Sequence, residues 1–265
     1  MENLSLETIE AAQEYDDSSD QQYHCGLQLI RELGLKQGSA VLDIGTGPGR
    51  LALHVARIIG NEGLIYGIER SPGRINIAKR RAESQQASNA VFVTGDGYDL
   101  SRFNDNFFDT VYLNSVIHWF KNKKTLLQEV NRVLKPGGTL GFTSQITNYP
   151  KRDLREIGDS LLKKKGYFDS TLITVSYPVT DEEVRKLLEQ TGFVVRKTEL
   201  RPSVEDYKTP EDAINNLFKK RYKNLSPSRQ DEIRTELIKE SKKIQIDGKI
   251  KDVRDKLYVI AEKKV

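Results

Sequence analysis

The sequence contains only one cysteine, one methionine and one tryptophan among its 265 residues. A single thiol, Cys25, excludes an internal disulfide and any metal site built from several cysteines. No apolar run approaches the roughly 20 residues that a membrane-spanning helix needs. The N-terminus lacks the basic and apolar regions of a secretion signal. We therefore expect a cytoplasmic protein with no membrane span and no metal site.

Charge and length set a second group of limits. The 42 Lys and Arg residues exceed the 38 Asp and Glu residues by only four, so the net charge by itself does not indicate nucleic acid. The length suits one large domain, and we assign residues 1–265 to a single domain. Within it we expect a helical cap at 1–35 and helical insertions at 150–178 and 205–245.

Residues 40–50, which read A-V-L-D-I-G-T-G-P-G-R, are the most informative stretch of the chain. The apolar run at 40–44 predicts a strand buried on both faces, and Leu51, Val55 and Ile58 predict a helix after it. Glycines at every second position between them predict a strand-to-helix turn whose backbone can touch a ligand. Asp43 stands at the end of the strand, where a parallel sheet places its ligands.

The remaining pattern alternates strands with amphipathic helices. This rhythm predicts a doubly wound, seven-stranded and mostly parallel α/β sheet. The predicted strands are 40–45, 64–68, 90–94, 108–113, 139–143, 193–200 and 256–261. Lys135–Gly138 is predicted to turn between the helix at about 123–134 and the fifth strand, and Thr180 with Glu183 is predicted to form a capping box.

The glycine turn discriminates between two classes of cofactor. A dinucleotide fingerprint would place its third glycine at position 50, but that position is Arg50. The stretch from Val41 to Gly49 instead resembles the first motif of class I S-adenosylmethionine-dependent methyltransferases. The resemblance implies a Rossmann-like fold whose last strand runs antiparallel between strands five and six. It also implies S-adenosyl-L-methionine as the cofactor.

The resemblance assigns cofactor-binding roles along the carboxyl edge of the sheet. Glu69 follows the second strand 20 residues beyond Gly49, where a carboxylate can accept both ribose hydroxyls. Arg70 is expected to line the adenine and Asp96 to accept from its amine, although Asp96 also suits a simple turn. The full set of predicted cofactor contacts is Tyr15, Asp43, Gly45, Thr46, Gly47, Gly49, Glu69, Arg70, Asp96, Gly97 and Asn114.

The acceptor side is read from two segments. Asn114–Phe120 lacks the Asn/Asp-Pro-Pro-Phe/Tyr pattern of enzymes that methylate nucleobases. Its Ile-His-Trp-Phe run resembles small-molecule enzymes related to juvenile hormone acid, trans-aconitate and malonyl-carrier methyltransferases. The spacing of Tyr15, Ser18 and Gln22 resembles the cofactor cap of that group. The cap is acid-rich and its own burial is expected to be slight, so ligand binding would order it.

His118, Trp119 and Gln22 are the candidate catalytic residues. His118 is either a base or hydrogen-bonding partner for the acceptor, or it only holds its loop. Trp119 either walls the acceptor pocket or belongs to the core. The expected reaction is in-line methyl transfer to a small molecule, with a carboxylate or hydroxyl oxygen favoured. The cap and the two insertions are the candidate lid.

Two other function classes compete with this interpretation. The runs at 163–165, 219–223 and 242–243 are basic and would suit RNA or a protein substrate, but acidic residues are interleaved with them. Nucleic acid is therefore an unlikely partner. A protein that binds the cofactor without catalysis ranks last, because the glycine turn and Glu69 are intact. The pattern indicates neither the acceptor nor an oligomeric state.

Overall fold

The computed structural model of the chain describes residues 8–146, 154–167, 176–222, 224–245 and 247–265. Parts of the predicted cap (1–7) and of the first insertion (150–153 and 168–175) lie outside the described residues. The strands are β1 (Ala40–Ile44), β2 (Leu64–Glu69), β3 (Ala90–Thr94), β4 (Phe108–Asn114), β5 (Leu134–Gln145), β6 (Phe193–Tyr207) and β7 (Ile250–Lys263). The helices are α1 (Ile9–Asp17), α2 (Asp20–Glu32), α3 (Arg50–Ile59), α4 (Pro72–Ser84), α5 (Lys123–Val133), α6 (Leu154–Lys164), α7 (Asp181–Gln190), α8 (Pro210–Tyr222) and α9 (Pro227–Ser241).

The described strands form one sheet in the order β3-β2-β1-β4-β5-β7-β6. β1 pairs in parallel with β2 on one side and with β4 on the other. β7 runs antiparallel to β5 and lies between β5 and β6. The doubly wound sheet and its antiparallel last strand are therefore confirmed. The order reverses at β1, so the crevice beside its carboxyl end is the place where this topology binds ligands.

Helices cover both faces of the sheet. Successive strand side chains point to opposite faces, so Leu42 and Val41 of β1 belong to different apolar clusters. The cluster with Leu42 includes Val130 of α5, and the cluster with Val41 includes Leu29 of α2. Burial on both faces explains why the parallel strands read as continuous apolar runs.

Three strands extend more than one residue beyond their predicted bounds. β5 begins at Leu134, directly after α5, so the predicted turn at 135–138 lies inside the strand. The reason is an extra pairing of Leu134 with Phe108, separated from the later pairs by a register shift. β6 and β7 are also longer than predicted, 193–207 and 250–263. The capping box at Thr180 and Glu183 is confirmed, with both reciprocal hydrogen bonds present.

The chain divides into two compact units. The first comprises 1–147, 176–201 and 256–265 and contains both apolar clusters described above. The second comprises 148–175 and 202–255, and its apolar core joins α6, α8 and α9. These ranges contain most of the two predicted insertions, whose role as a lid stays a prediction. Among the described residues, no helix has the length and apolar character that crossing a bilayer requires.

Candidate functional site

The glycine turn joins β1 to α3 with three left-handed residues. Gly45, Gly47 and Gly49 have φ values of +77°, +55° and +78°, a region that favours glycine. A Cβ on Gly45 would lie 2.5 Å from Val116, and one on Gly49 would lie 2.8 Å from Ala78. These two glycines are therefore required by packing as well as by backbone geometry.

Gly47 differs from its neighbours because its surroundings are open. Among the described residues, a Cβ added there would meet only the ring of Tyr15, at 3.6 Å. The glycine thus leaves space beside its backbone at the crevice where the sheet order reverses. This is the position that the sequence predicts for backbone contact with a ligand.

Glu69, at the end of β2, fastens the turn. Its two carboxylate oxygens accept hydrogen bonds from the backbone N–H groups of Gly47 at 3.2 Å and Ser71 at 3.1 Å. The side chain is 7% exposed. An ionised carboxylate has about four lone-pair sites, so both oxygens can still accept from hydroxyl groups. Glu69 is therefore a buried acid that holds the backbone of the glycine turn.

Asp43 is a buried carboxyl group at the base of the pocket. Its side chain is 2% exposed. Burial raises the pKa of Asp43 to about 7; the hydroxyls of Thr46 and Tyr112 oppose the rise, and the charge of Glu69 adds to it. A cationic group bound beside Asp43 would lower this pKa, because a nearby positive charge favours the ionised carboxylate.

Arg70 and Asp96 lie together beside the β2 and β3 ends. The Nε atom of Arg70 is 3.4 Å from Oδ2 of Asp96. The other carboxylate oxygen of Asp96 accepts from the N–H of Tyr98 at 3.1 Å, which is the turn that the alternative interpretation predicts. At Gly97 an added Cβ would lie 2.9 Å from both Ile44 and Phe120, so packing explains this glycine.

The N-terminal cap is packed more firmly than expected. The guanidinium of Arg81 makes two hydrogen bonds to the Asp16 carboxylate, at 3.2 and 2.5 Å, and a third to the Pro48 carbonyl at 2.9 Å. Asp16 is buried, and Ala12 on the same helix is fully buried. The sequence did not reveal these contacts, because Asp16 and Arg81 are far apart along the chain.

A crevice lies at the carboxyl ends of β1 and β4 and is lined by residues of the first unit. Seven predicted site residues meet there, and five further residues contribute that the sequence did not suggest. The predicted residues are Tyr15, Gln22, Asp43, Gly45, Thr46, Gly47 and Asn114, and the additional ones are Ser19, Tyr23, Pro48, Arg50 and Leu51. Arg50 was the residue used to reject the dinucleotide fingerprint; it pairs with Asp20 at 2.7 Å.

The polar atoms of this crevice fit the predicted cofactor. The Oε1 atom of Gln22 is buried and has no hydrogen-bond partner among the described residues. Together with the Asp43 carboxyl it provides acceptors for an ammonium group. Glu69, which accepts from the N–H of Gly47, is the candidate acceptor for ribose hydroxyls beside the glycine turn. The positive charge of Arg50, which also lines this crevice, is paired with Asp20. The acceptors of Asp43 and Gln22 therefore suit a ligand that carries a cationic group.

His118 and Trp119 lie in a short 3₁₀ turn after β4. His118 is 1% exposed, and its Nδ1 accepts from the N–H of Gln145 at 3.5 Å. Burial lowers the pKa of His118 to about 3, and the charges of Lys256 and Lys123 add to the effect. This environment favours the structural alternative for His118. Trp119 is 38% exposed and is therefore outside the core.

Comparison with known proteins shows the family of this chain. A family profile described as a methyltransferase domain matches residues 35–225. The chain is 32% identical over 137 residues to the arsenite methyltransferase of Mus musculus, which covers 49% of this chain and 36% of the mouse protein. It is 26% identical over 179 residues to demethylmenaquinone methyltransferase of Staphylococcus aureus strain JH9, covering 63% of this chain and 73% of that enzyme. The chain thus matches about a third of the length of the mouse relative.

Solved structures share the fold. YcgJ from Bacillus subtilis is similar with a TM-score of 0.64 and 16% identity, over 92% of this chain and 99% of YcgJ. A phosphoethanolamine N-methyltransferase of Haemonchus contortus, solved with S-adenosylhomocysteine, has a TM-score of 0.63 and 18% identity, over 97% of this chain and 58% of its own. Because the profile match spans well over half of the sequence, and the sheet order and glycine turn agree with it, this chain belongs to the class I S-adenosylmethionine-dependent methyltransferases.

Proposed function

We propose that the protein transfers the methyl group of S-adenosylmethionine to a carboxylate oxygen of a small molecule. The cofactor supplies a methyl group on a sulfonium that is already a good leaving group, so alignment supplies most of the catalysis. Asp43 and Gln22 would hold the amino acid part of the cofactor, and Glu69 its ribose. The proposal extends the resemblance of residues 114–120 to the juvenile hormone acid, trans-aconitate and malonyl-carrier group.

The state of His118 is the observation that carries the choice of a carboxylate. A hydroxyl acceptor needs a base to take its proton, whereas a carboxylate is ionised before it binds. His118 is the candidate base in this segment, yet it is 1% exposed and its pKa is lowered to about 3. A group with so low a pKa is a weak base at neutral pH, which supports an acceptor that needs none.

The charge near His118 supports the same acceptor class. Lys123 and Lys256 are both buried, and both lower the pKa of His118 through their charge. Their positive potential at this edge of the sheet favours an anion over a neutral alcohol.

The competing acceptors have weaker support. Lys165 pairs with Glu232 at 2.6 Å and with Glu236 at 2.5 Å, and Lys243 pairs with Glu240 at 2.6 Å. These pairs neutralise part of the basic runs that would otherwise suit RNA. A soft acceptor such as arsenite would be held best by several thiolates, but the chain has only the buried Cys25.

The experiment uses labelled methyl transfer into fractionated cell extract. The extract is separated by size into small molecules and macromolecules, and each fraction is incubated with the protein and S-adenosylmethionine carrying a radioactive methyl group. We expect label in the small-molecule fraction that mild alkali releases as methanol, because a methyl ester hydrolyses and a methyl ether or methylamine does not. Gly47→Val serves as the inactive control.

Each other result contradicts a defined part of the proposal. Alkali-stable label in small molecules would exclude the carboxylate and leave another oxygen, nitrogen or carbon as the acceptor atom. Label confined to RNA or protein would overturn the small-molecule assignment. Absence of transfer in every fraction, with tight binding of S-adenosylhomocysteine, would favour a protein that binds the cofactor without catalysis.

A further inference from the structure

A chain of hydrogen bonds joins β7 to α2 through β5 and β4. The Nζ of Lys256 donates to Oγ of Ser115 at 2.9 Å. The backbone N–H of Ser115 donates to Oγ1 of Thr143 at 2.8 Å, and Thr143 donates its hydroxyl hydrogen to Oδ1 of Asn114 at 2.9 Å. Asn114 donates from Nδ2 to the carbonyl of Gln22 at 2.8 Å. The chain of hydrogen bonds therefore links four elements, with Asn114 between β5 and α2.

The donors and acceptors in this chain permit one orientation of Asn114. The carbonyl of Gln22 can only accept, so the amide nitrogen of Asn114 has to face it. The amide oxygen then faces Thr143, whose hydroxyl has a single hydrogen to donate. That hydroxyl still accepts from Ser115 through a lone pair. Thr143 thus fixes Asn114 from one side while α2 fixes it from the other.

Burial and backbone geometry indicate that the arrangement is held by tertiary contacts. Thr143 is fully buried, and Lys256 is 7% exposed. Ser115 has a φ of +59°, a left-handed conformation that costs a non-glycine residue energy unless its surroundings hold it. α2 comes close to Asn114 because residue 26 is glycine; a Cβ there would lie 2.8 Å from Asn114 Nδ2.

We propose that Lys256 and Thr143 are positioning residues for cofactor binding. Neither lines the crevice, but Asn114 and Gln22 both do. By orienting Asn114, the Lys256–Ser115–Thr143 chain holds the first turns of α2 beside the glycine turn. The crevice wall formed by α2 therefore depends on residues of β5 and β7 that do not touch the ligand.

The test compares isosteric and conservative variants of Thr143. Thr143→Val removes the hydroxyl and leaves Asn114 without its donor, so the Kd of S-adenosylhomocysteine rises about tenfold by calorimetry, the ratio that one to two net hydrogen bonds give. Amide exchange of α2 accelerates in the same variant. Thr143→Ser keeps the hydroxyl and stays within about twofold of the wild type. Thr110→Val is the matched control, because it removes another buried threonine hydroxyl, from β4.

Lys256 is tested by Lys256→Met, by Lys256→Arg and by the double variant with Thr143→Val. We expect Lys256→Met to raise the Kd about fivefold and Lys256→Arg to restore most of the affinity. Because both residues act through Asn114, the double variant falls well short of the product of the two effects. Independent effects would remove Lys256 from the proposal. Unchanged Kd and α2 exchange in Thr143→Val, or equal losses in Thr110→Val, would overturn it.

Discussion

The guanidinium of Arg74 lies over the ring of Tyr15, 3.8 Å from the ring centroid. The same ring lies beside Gly47, where an added Cβ would be 3.6 Å from its Cε1 atom. Tyr15 thus stands between α4 and the glycine turn. The cap therefore contacts the glycine turn through Tyr15, a residue that the sequence predicts as a cofactor contact.

Replacing Tyr15 tests this link. Tyr15→Ala removes the cation–π contact and the ring that covers the turn, so S-adenosylhomocysteine should bind more weakly by about 1 to 2 kcal/mol. Hydrogen exchange of α1 should be faster in this variant, and ligand should protect α1 in the wild type. Tyr15→Phe keeps the ring and should bind almost normally. If Tyr15→Ala binds as well as the wild type, α1 is a terminus without a role in the site.

At Gly47, the effect of a side chain on cofactor binding can be separated from the strain that it causes in a left-handed backbone. Gly47→Val should abolish cofactor binding, because the side chain enters the open space beside the turn. It should also destabilise the fold by about 1 to 2 kcal/mol through its φ of +55°. Gly34 has a φ of +64°, and no atom of the described part of the chain lies within 4 Å of an added Cβ, so Gly34→Val is a control for backbone strain. Calorimetry should show lost binding in the first variant alone; normal binding by Gly47→Val would refute the assignment of the turn.

Glu69 should contribute to both binding and the geometry of the turn. Glu69→Ala should weaken cofactor binding by about 1.5 to 3 kcal/mol, the scale of hydrogen bonds to a charged group. The melting temperature should also fall, because the N–H groups of Gly47 and Ser71 lose their acceptor. Glu62→Ala, at an exposed position just before the same strand, should change neither quantity. Unchanged affinity in Glu69→Ala would exclude the ribose contact.

Asp43 should make cofactor binding depend on pH. Its pKa is raised to about 7, and the ammonium group of the ligand favours the ionised carboxylate, so affinity should fall as the pH drops through 7. Between pH 8 and pH 6 we expect about a tenfold rise in the Kd of S-adenosylhomocysteine, with proton release near pH 6. Calorimetry in buffers of different ionisation enthalpy measures that release. A flat profile would contradict the role of Asp43.

The same shift has the opposite consequence for the free protein. A carboxyl group with a raised pKa stabilises the fold below its unfolded pKa of 3.8, and this contribution is lost as the pH rises through about 7. Asp43→Asn removes the buried charge, so at pH 8 it should stabilise the ligand-free protein by about 1 to 4 kcal/mol while weakening cofactor binding. Denaturant unfolding should show a larger gain at pH 8 than at pH 5, because at pH 5 only part of the contribution has been lost.

Local patterns in the sequence determined the fold and the cofactor. The spacing of apolar residues predicts which faces of the strands and helices are buried. The glycines at 45, 47 and 49 predict a backbone conformation that other residues avoid. These signals lie within about ten residues of one another, so they are visible before the chain is folded. They predicted the doubly wound sheet, the strand-to-helix turn and the position of Glu69 at the end of β2.

Only the tertiary structure decided the environment of the individual side chains. The residues around His118 read the same whether the imidazole faces an acceptor or the interior, and packing against β5 buries it. The Asp16–Arg81 pair and the Thr143–Asn114 hydrogen bond join residues 65 and 29 positions apart. The periodicity of the sequence does not predict such pairs, because they form only when helices and strands pack together. Short stretches of the sequence were therefore sufficient to predict the family of the enzyme. The burial of His118 and the hydrogen bonds that hold Asn114 depend on the assembled sheet.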